Sequence, residues 1–289
     1  MGATARRHFS SSGEETAARI DRLRRELWAL ETGLAGEGAA PLPLGIPVID
    51  GALGGGFNCG ALHEIAAAGE RATAAATGFV LALAARSASS RDAAHNDESA
   101  VSNSAPFGNL VWIAEELSLA ESGTLYGPGL DDAGVAPERL ITVAAARGRD
   151  VLWAMEEALR CRDVGVVIGE MRPRRGIDQV AMRRLALAAA AGGTLGLILR
   201  SAPDDVASAA ATRWIIGAAP SIPSSENDDE RWHGVGPPRL TAHLVRNRRG
   251  HLGAWILEWN SVEQRFKLAT HPEPVAGAAF DRPHRAAAG

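Results

Sequence analysis

Apolar positions along the chain follow two different periods. Between residues 14 and 32 they recur every three or four. Ile20, Leu23, Leu27 and Leu30 make one stripe, with Arg19, Arg22, Arg25 and Glu26 around it, the pattern of an amphipathic helix. Ser12 and Glu15 have capping-box spacing, and Gly33 can end the helix. A Gly- and Ala-rich linker follows to Ala40, and then a Pro/Gly-rich lead-in, PLPLGIPVIDGALGGGFNCG. From there the apolar runs are short and strand-like: ALHEI (61–65), LVWIA (110–114), LITV (140–143), VGVVI (164–168), LGLIL (195–199) and Trp214-Ile215-Ile216. Helical patterns over 73–86, 150–161, 178–192 and 204–212 separate several of them, with Asp150 and Asp178 as expected N-caps. The polar stretch 87–108 reads as a long exposed loop.

Alternating short strands and helices predict an α/β fold, a mostly parallel sheet flanked by helices. The pattern changes after the polar, acidic stretch 221–237. Residues 239–246, 254–259 and 265–268 read as antiparallel strands, in which Trp255, Leu257 and Trp259 share one face. The organisation expected is an N-terminal helix and linker (1–40), a core domain (41–270) and a frayed tail (271–289).

Composition narrows the class. With 46% apolar and 22% charged residues and a net charge of −4, the chain can bury a core and is no globally basic nucleic-acid binder. Two distant cysteines, Cys59 and Cys161, argue against a disulfide scaffold or a cysteine-based metal site. The N-terminus lacks the apolar core of a signal peptide, and no apolar run has membrane-spanning length, so a cytoplasmic protein is expected.

Of the 30 basic residues, all but Lys267 are arginine. This matters where a phosphate loop would lie, between ALHEI and its helix. A working loop reads G-x-x-x-x-G-K-S/T: glycines turn amides toward the phosphates, lysine reaches the terminal oxygens, and the hydroxyl holds magnesium. Here the stretch is AAAGERATAAATGF. Gly69, Arg71 and Thr73 are what remains, and forked arginine does not replace lysine. The strand VGVVI ends in Gly169-Glu170, an acid one position late for a magnesium ligand. Glu115 and Glu116 follow LVWIA as solvated carboxylates. No H-x-x-x-H pair, G-x-S-x-G elbow or dinucleotide fingerprint occurs, so no cofactor, metal or catalytic activity is expected. Two arginine clusters stand out instead. Arg172, Arg174, Arg175 and Arg183, with Arg184, follow VGVVI; Arg246, Arg248 and Arg249 end an antiparallel strand. Such clusters contact phosphate backbones or acidic protein surfaces, or are simply solvated.

The segments PLGIPVIDGALGGGFNCGALHEI, LVWIAEE, VGVVIGE and LGLILR resemble the RecA recombinase core. ALHEI, LYGPGL, LWAMEEALRC, AATRW and LVRNRRG, in this order and spacing, resemble the ImuA family more closely, the RecA-like accessory proteins of a bacterial mutagenesis cassette. The resemblance spans about 42–259. It implies a role in SOS-induced, error-prone translesion DNA synthesis, with nucleoid association on DNA damage. The implied partners are ImuB, RecA and, through ImuB, an error-prone C-family DNA polymerase. Glu116 falls near the water-activating glutamate of RecA, and Arg246-Asn247-Arg248 matches its Lys-Asn-Lys segment. The phosphate loop departs from RecA entirely, and the segments resembling its DNA-binding loops are short, which implies weak or no direct DNA binding. The expected function is a non-catalytic adaptor between RecA and ImuB. Its partner-binding candidates are Ile20, Leu23, Leu27, Leu30, Arg246 and Arg248; Arg172, Arg174, Arg175 and Arg183 are candidates for DNA or acidic partners. Two alternatives stay open: a SulA-like cell-division inhibitor and a degenerate ATPase.

Overall fold

The structure is a computed structural model and describes residues 19, 40–95, 108–171, 177–204, 206–221 and 236–269. The expected N-terminal helix stripe, Arg172, Arg174, Arg175 and the tail lie outside these residues. Nine strands form one sheet in the order β3-β2-β4-β5-β1-β6-β7-β8-β9. They are β1 (Leu62–Ala67), β2 (Asn109–Glu115), β3 (Leu140–Ala145), β4 (Val164–Met171), β5 (Leu195–Arg200), β6 (Thr212–Ala219), β7 (Arg239–Asn247), β8 (Gly253–Asn260) and β9 (Arg265–Leu268). The first six pair in parallel, and β7, β8 and β9 continue the sheet antiparallel. Six strands linked by crossovers and then three joined as hairpins are what the two halves of the sequence pattern require.

Each face of the parallel half has its own core. On one, α2 (Thr73–His95) lays Phe79, Val80 and Leu83 on Ile65, Trp112, Ile168, Leu197 and Trp214. This core runs on under the antiparallel strands to Leu257, Trp259 and Phe266. On the other face, α5 (Gly148–Arg160) and α6 (Gln179–Gly192) bury Val151, Met155, Leu159, Met182 and Leu185 against Val111, Ile113, Val167 and Ile198. Among the described residues there are also three short α-helices: α1 (Pro47–Leu53), α3 (Glu116–Ser122) and α4 (Gly127–Asp132). No described helix is long and apolar enough to cross a membrane.

The lead-in segment is more ordered than its Pro/Gly content suggests. Leu42 and Phe57 bridge, and α1 folds between them with Pro47 in its first turn. Asp50 gathers the loop: its carboxylate accepts the backbone N–H groups of Leu44, Gly45 and Ile46 at 2.6, 2.9 and 3.0 Å. Gly56 is required here, since it has φ +131° and a Cβ would lie 2.2 Å from the Leu42 carbonyl oxygen.

Three sequence expectations are corrected. The helix expected to end at residue 86 runs on to His95, through part of the expected loop. Ser87 is buried, and the Ser89 hydroxyl donates to the Ala85 carbonyl at 3.1 Å, so serines that looked like loop residues settle into the helix. No helix forms over 204–212. Arg213 takes the carbonyls of Asp204 and Val206, and Arg248 takes that of Ser208, acceptors that a helix would need for itself. Asp150 is not an N-cap: Arg147 holds that position, and Asp150 sits in the first turn of α5 beside Arg149. Asp178 does precede α6, without a side-chain cap bond, and Gly193 ends that helix in the left-handed conformation.

Candidate functional site

Two places in the fold gather the residues singled out by sequence: the β1–α2 connection and the charged end of β6 and β7.

Residues 68–72 join β1 to α2. The Ala68 N–H donates to the Ile216 carbonyl at 2.7 Å and that of Ala72 to Gly69 at 2.8 Å, closing a 3₁₀ turn over Glu70–Ala72. The Thr73 N–H and hydroxyl both turn back to the Glu70 carbonyl, the hydroxyl at 2.8 Å. Gly69 is extended and uses none of a glycine's special freedom. Arg71 is exposed. Glu70, also exposed, sets a carboxylate in the turn that leads into α2, where the helix dipole would otherwise favour an anion. Gly69, Arg71 and Thr73 are thus neighbours in a tight turn that presents an acid and spends three of its amides on protein carbonyls.

The end of β4 agrees with this. Gly169 stands where an acid for magnesium would be needed, and the Met155 thioether fills its space: a Cβ there would lie 2.0 Å from the sulfur. Glu170 is held in place, accepting from the Ser118 hydroxyl at 2.6 Å and the Trp112 indole N–H at 3.3 Å. Glu116 opens α3 and is exposed.

At the start of β6 the structure assembles a network that the sequence did not announce. Glu64 on β1 and Arg213 on β6 are direct partners, both almost removed from solvent, and their side chains pair at 2.6 Å. Arg213 also donates to the Asp204 and Val206 carbonyls at 2.8 and 2.7 Å, and Arg200 pairs with Asp204 at 2.5 Å. The residues after β5 are thereby tied across the sheet face that α5 and α6 leave uncovered. Arg248 donates to the Ser208 carbonyl at 3.3 Å. Arg246 lies directly opposite Arg213. Burial, then the Arg248 and Arg213 charges, push its guanidinium below the ordinary arginine range against the pull of Glu64. Arg246 and Arg248 therefore share one locality. Arg183 lies elsewhere, exposed on α6, where its neighbour Arg184 pairs with Glu156 at 2.5 Å. Arg160 also pairs with Glu156. Burial alone would raise that carboxyl; the two arginines outweigh it and hold it below the usual carboxylate range.

His63 is the other polar group buried in β1. Its Nε2–H donates to the Asn58 carbonyl at 3.1 Å, so Nδ1 accepts, and the Thr212 hydroxyl lies 2.7 Å away. The Trp214 indole N–H donates to the same hydroxyl at 3.0 Å. Every polar atom is satisfied with a neutral ring, and burial lowers the His63 pKa from 6.5 to about 4. The one visible signal for both buried groups was a His-Glu pair inside an apolar strand, ALHEI.

No protein-family model matches the chain. A crystal structure of the RadB recombinase is similar at a TM-score of 0.47 and 13% identity, over 78% of this chain and 98% of that one. Protein ImuA of Caulobacter vibrioides strain NA1000 / CB15N is 32% identical over 229 residues, covering 75% of this chain and 82% of the relative. Protein ImuA of C. vibrioides strain ATCC 19089 / CIP 103742 / CB 15 matches to the same extent. With a third of its positions shared across three quarters of its length, the chain belongs to the ImuA family.

Proposed function

We propose that the chain is a non-catalytic accessory protein of damage-induced, error-prone translesion DNA synthesis, a RecA-like core that joins protein partners. Family membership supports the pathway, and the β1–α2 connection carries the non-catalytic part. A triphosphate needs amides and a cation converging on its oxygens. Here the amides of Ala68, Ala72 and Thr73 are bonded to carbonyls, and Glu70 adds an exposed carboxylate to the same turn. The partners in this reading are RecA and ImuB, with the error-prone polymerase reached through ImuB.

Two surfaces are offered to them: the apolar stripe Ile20, Leu23, Leu27 and Leu30, as a helix for a partner's groove, and the Arg246 and Arg248 region. Co-purification of the full chain with ImuB and with RecA, with and without nucleotide, tests the reading. Both partners are expected to be retained, and the chain itself is expected to bind no nucleotide. Retention of neither contradicts it. Removing residues 1–40 is expected to weaken at least one of the two interactions; unchanged affinity for both takes the helix out of the account. ATP turnover by the pure protein would favour a degenerate ATPase instead.

A further inference from the structure

Strict alternation along β7 would send Arg246 to the same face as Leu244, into the aromatic core. It does not go there. The register between β6 and β7 shifts at Arg213/Trp214: Trp214 pairs with Leu244 and Arg213 with Arg246, leaving Val245 as the extra residue of a β-bulge. The bulge sets Val245 and Arg246 together opposite Arg213, on the face that no described helix covers. Two guanidiniums are thus direct cross-strand partners, an arrangement that opposes folding. The carboxylate within range, Glu64, is already taken by Arg213 at 2.6 Å. Among the described residues the Arg246 side chain makes no hydrogen bond or ion pair of its own; it is partly buried and feels Glu64 only through space.

Beside these charges, exposed apolar side chains rim Arg246. Val245 is 41% exposed and Val206 43%. The Val206 carbonyl is held by Arg213, which fixes this residue over the same arginine. Leu252, one step beyond the paired end of β8 and in register with Val245, is 60% exposed. Half-sunk arginine with an apolar rim is the composition of a protein–protein hot spot. A nucleic-acid groove would instead show several outward cations and aromatic faces for bases.

We propose that Arg246, with Val206, Val245 and Leu252 around it, receives a carboxylate side chain of a protein partner that is itself flanked by apolar residues. The incoming charge answers the contact between the Arg246 and Arg213 guanidiniums, where Glu64 is held by Arg213. This assignment rests on the adaptor reading and names the chemistry of one of its surfaces.

A binding contact and a merely structural arginine predict opposite results. Binding of full-length R246Q and R246E to purified RecA and to purified ImuB is compared with that of the parent, and the melting temperature of each free protein is recorded. The expected result is unchanged or higher melting, because a like-charge contact is relieved, with affinity for one partner falling about tenfold or more in R246Q and further in R246E. With a photocrosslinking residue at position 245, the peptide captured from that partner should contain Asp or Glu beside apolar residues. Lower melting with both affinities retained makes Arg246 structural and overturns the site. So does loss confined to binding of a single-stranded oligonucleotide. If the parent chain binds neither protein, the adaptor reading itself falls, and the site with it.

Discussion

At the residue scale, Glu64, Arg213, Arg200, Glu156 and the His63 imidazole are largely kept out of water, and each has a partner. Glu64 and Arg213 are the most deeply buried ion pair among the described residues. Removing one member strands the other, so E64Q is expected to lower the unfolding free energy by about 3–5 kcal/mol in urea titration. E64L combined with R213L should recover much of that, because a buried pair replaced by apolar side chains of similar size is often neutral. His63 gives a pH signature. The folded ring has a pKa of about 4, against 6.5 when unfolded, so between these values the unfolded chain holds more protons. Its contribution is complete above about pH 6.5 and declines as pH falls towards 4, by a total of about 3 kcal/mol. H63Q should flatten the stability profile in that window. Glu156, whose carboxyl is held low, contributes at lower pH: its stabilisation is present above the ordinary carboxylate range and lost on further acidification. These residues were only partly legible in sequence. ALHEI reads as a buried strand, but a glutamate inside it is explained only by an arginine 149 positions away. Arg246 and Arg248 were legible as a cluster; the bulge that decides which way Arg246 faces was not, since one extra residue leaves no trace in the alternation.

At the element scale, the strands were the clearest signal. Each of the nine expected runs is a strand within a few residues, because a buried parallel strand demands an unbroken apolar run and an antiparallel one demands alternation. Helix ends and irregular crossovers were not legible. The end of α2 was hidden because serines and charges read as loop, while burial of Ser87 and the Ser89 hydroxyl bond carry the helix onward. Proline distinguishes the two descriptions: S89P should cost about 3 kcal/mol in a helix interior and little in an exposed loop, as read by denaturant unfolding. The segment between β5 and β6 erred in the other direction. Its Ala and Ser content suits a helix, yet Arg213 and Arg248 draw its carbonyls away. R213A should therefore loosen this segment as well as strand Glu64, giving faster amide exchange over residues 206–211 than E64Q does.

On the scale of the whole molecule, a six-stranded parallel sheet is extended by three antiparallel strands, and the connection after β1 is a tight turn. The connection after β1 is filled by a 3₁₀ turn with an acid in it, and Met155 occupies the space beside Gly169. What remains on offer is surface. On the side that no described helix covers, the antiparallel extension ends in the Arg246 patch. The most direct test of this account is a calorimetric titration of the full-length protein with magnesium and ATP. No saturable binding is expected up to about 1 mM, the weak end of specific affinity. Saturable binding at micromolar concentration, abolished by R71A or T73A, would show that the β1–α2 turn still holds a triphosphate and would contradict it.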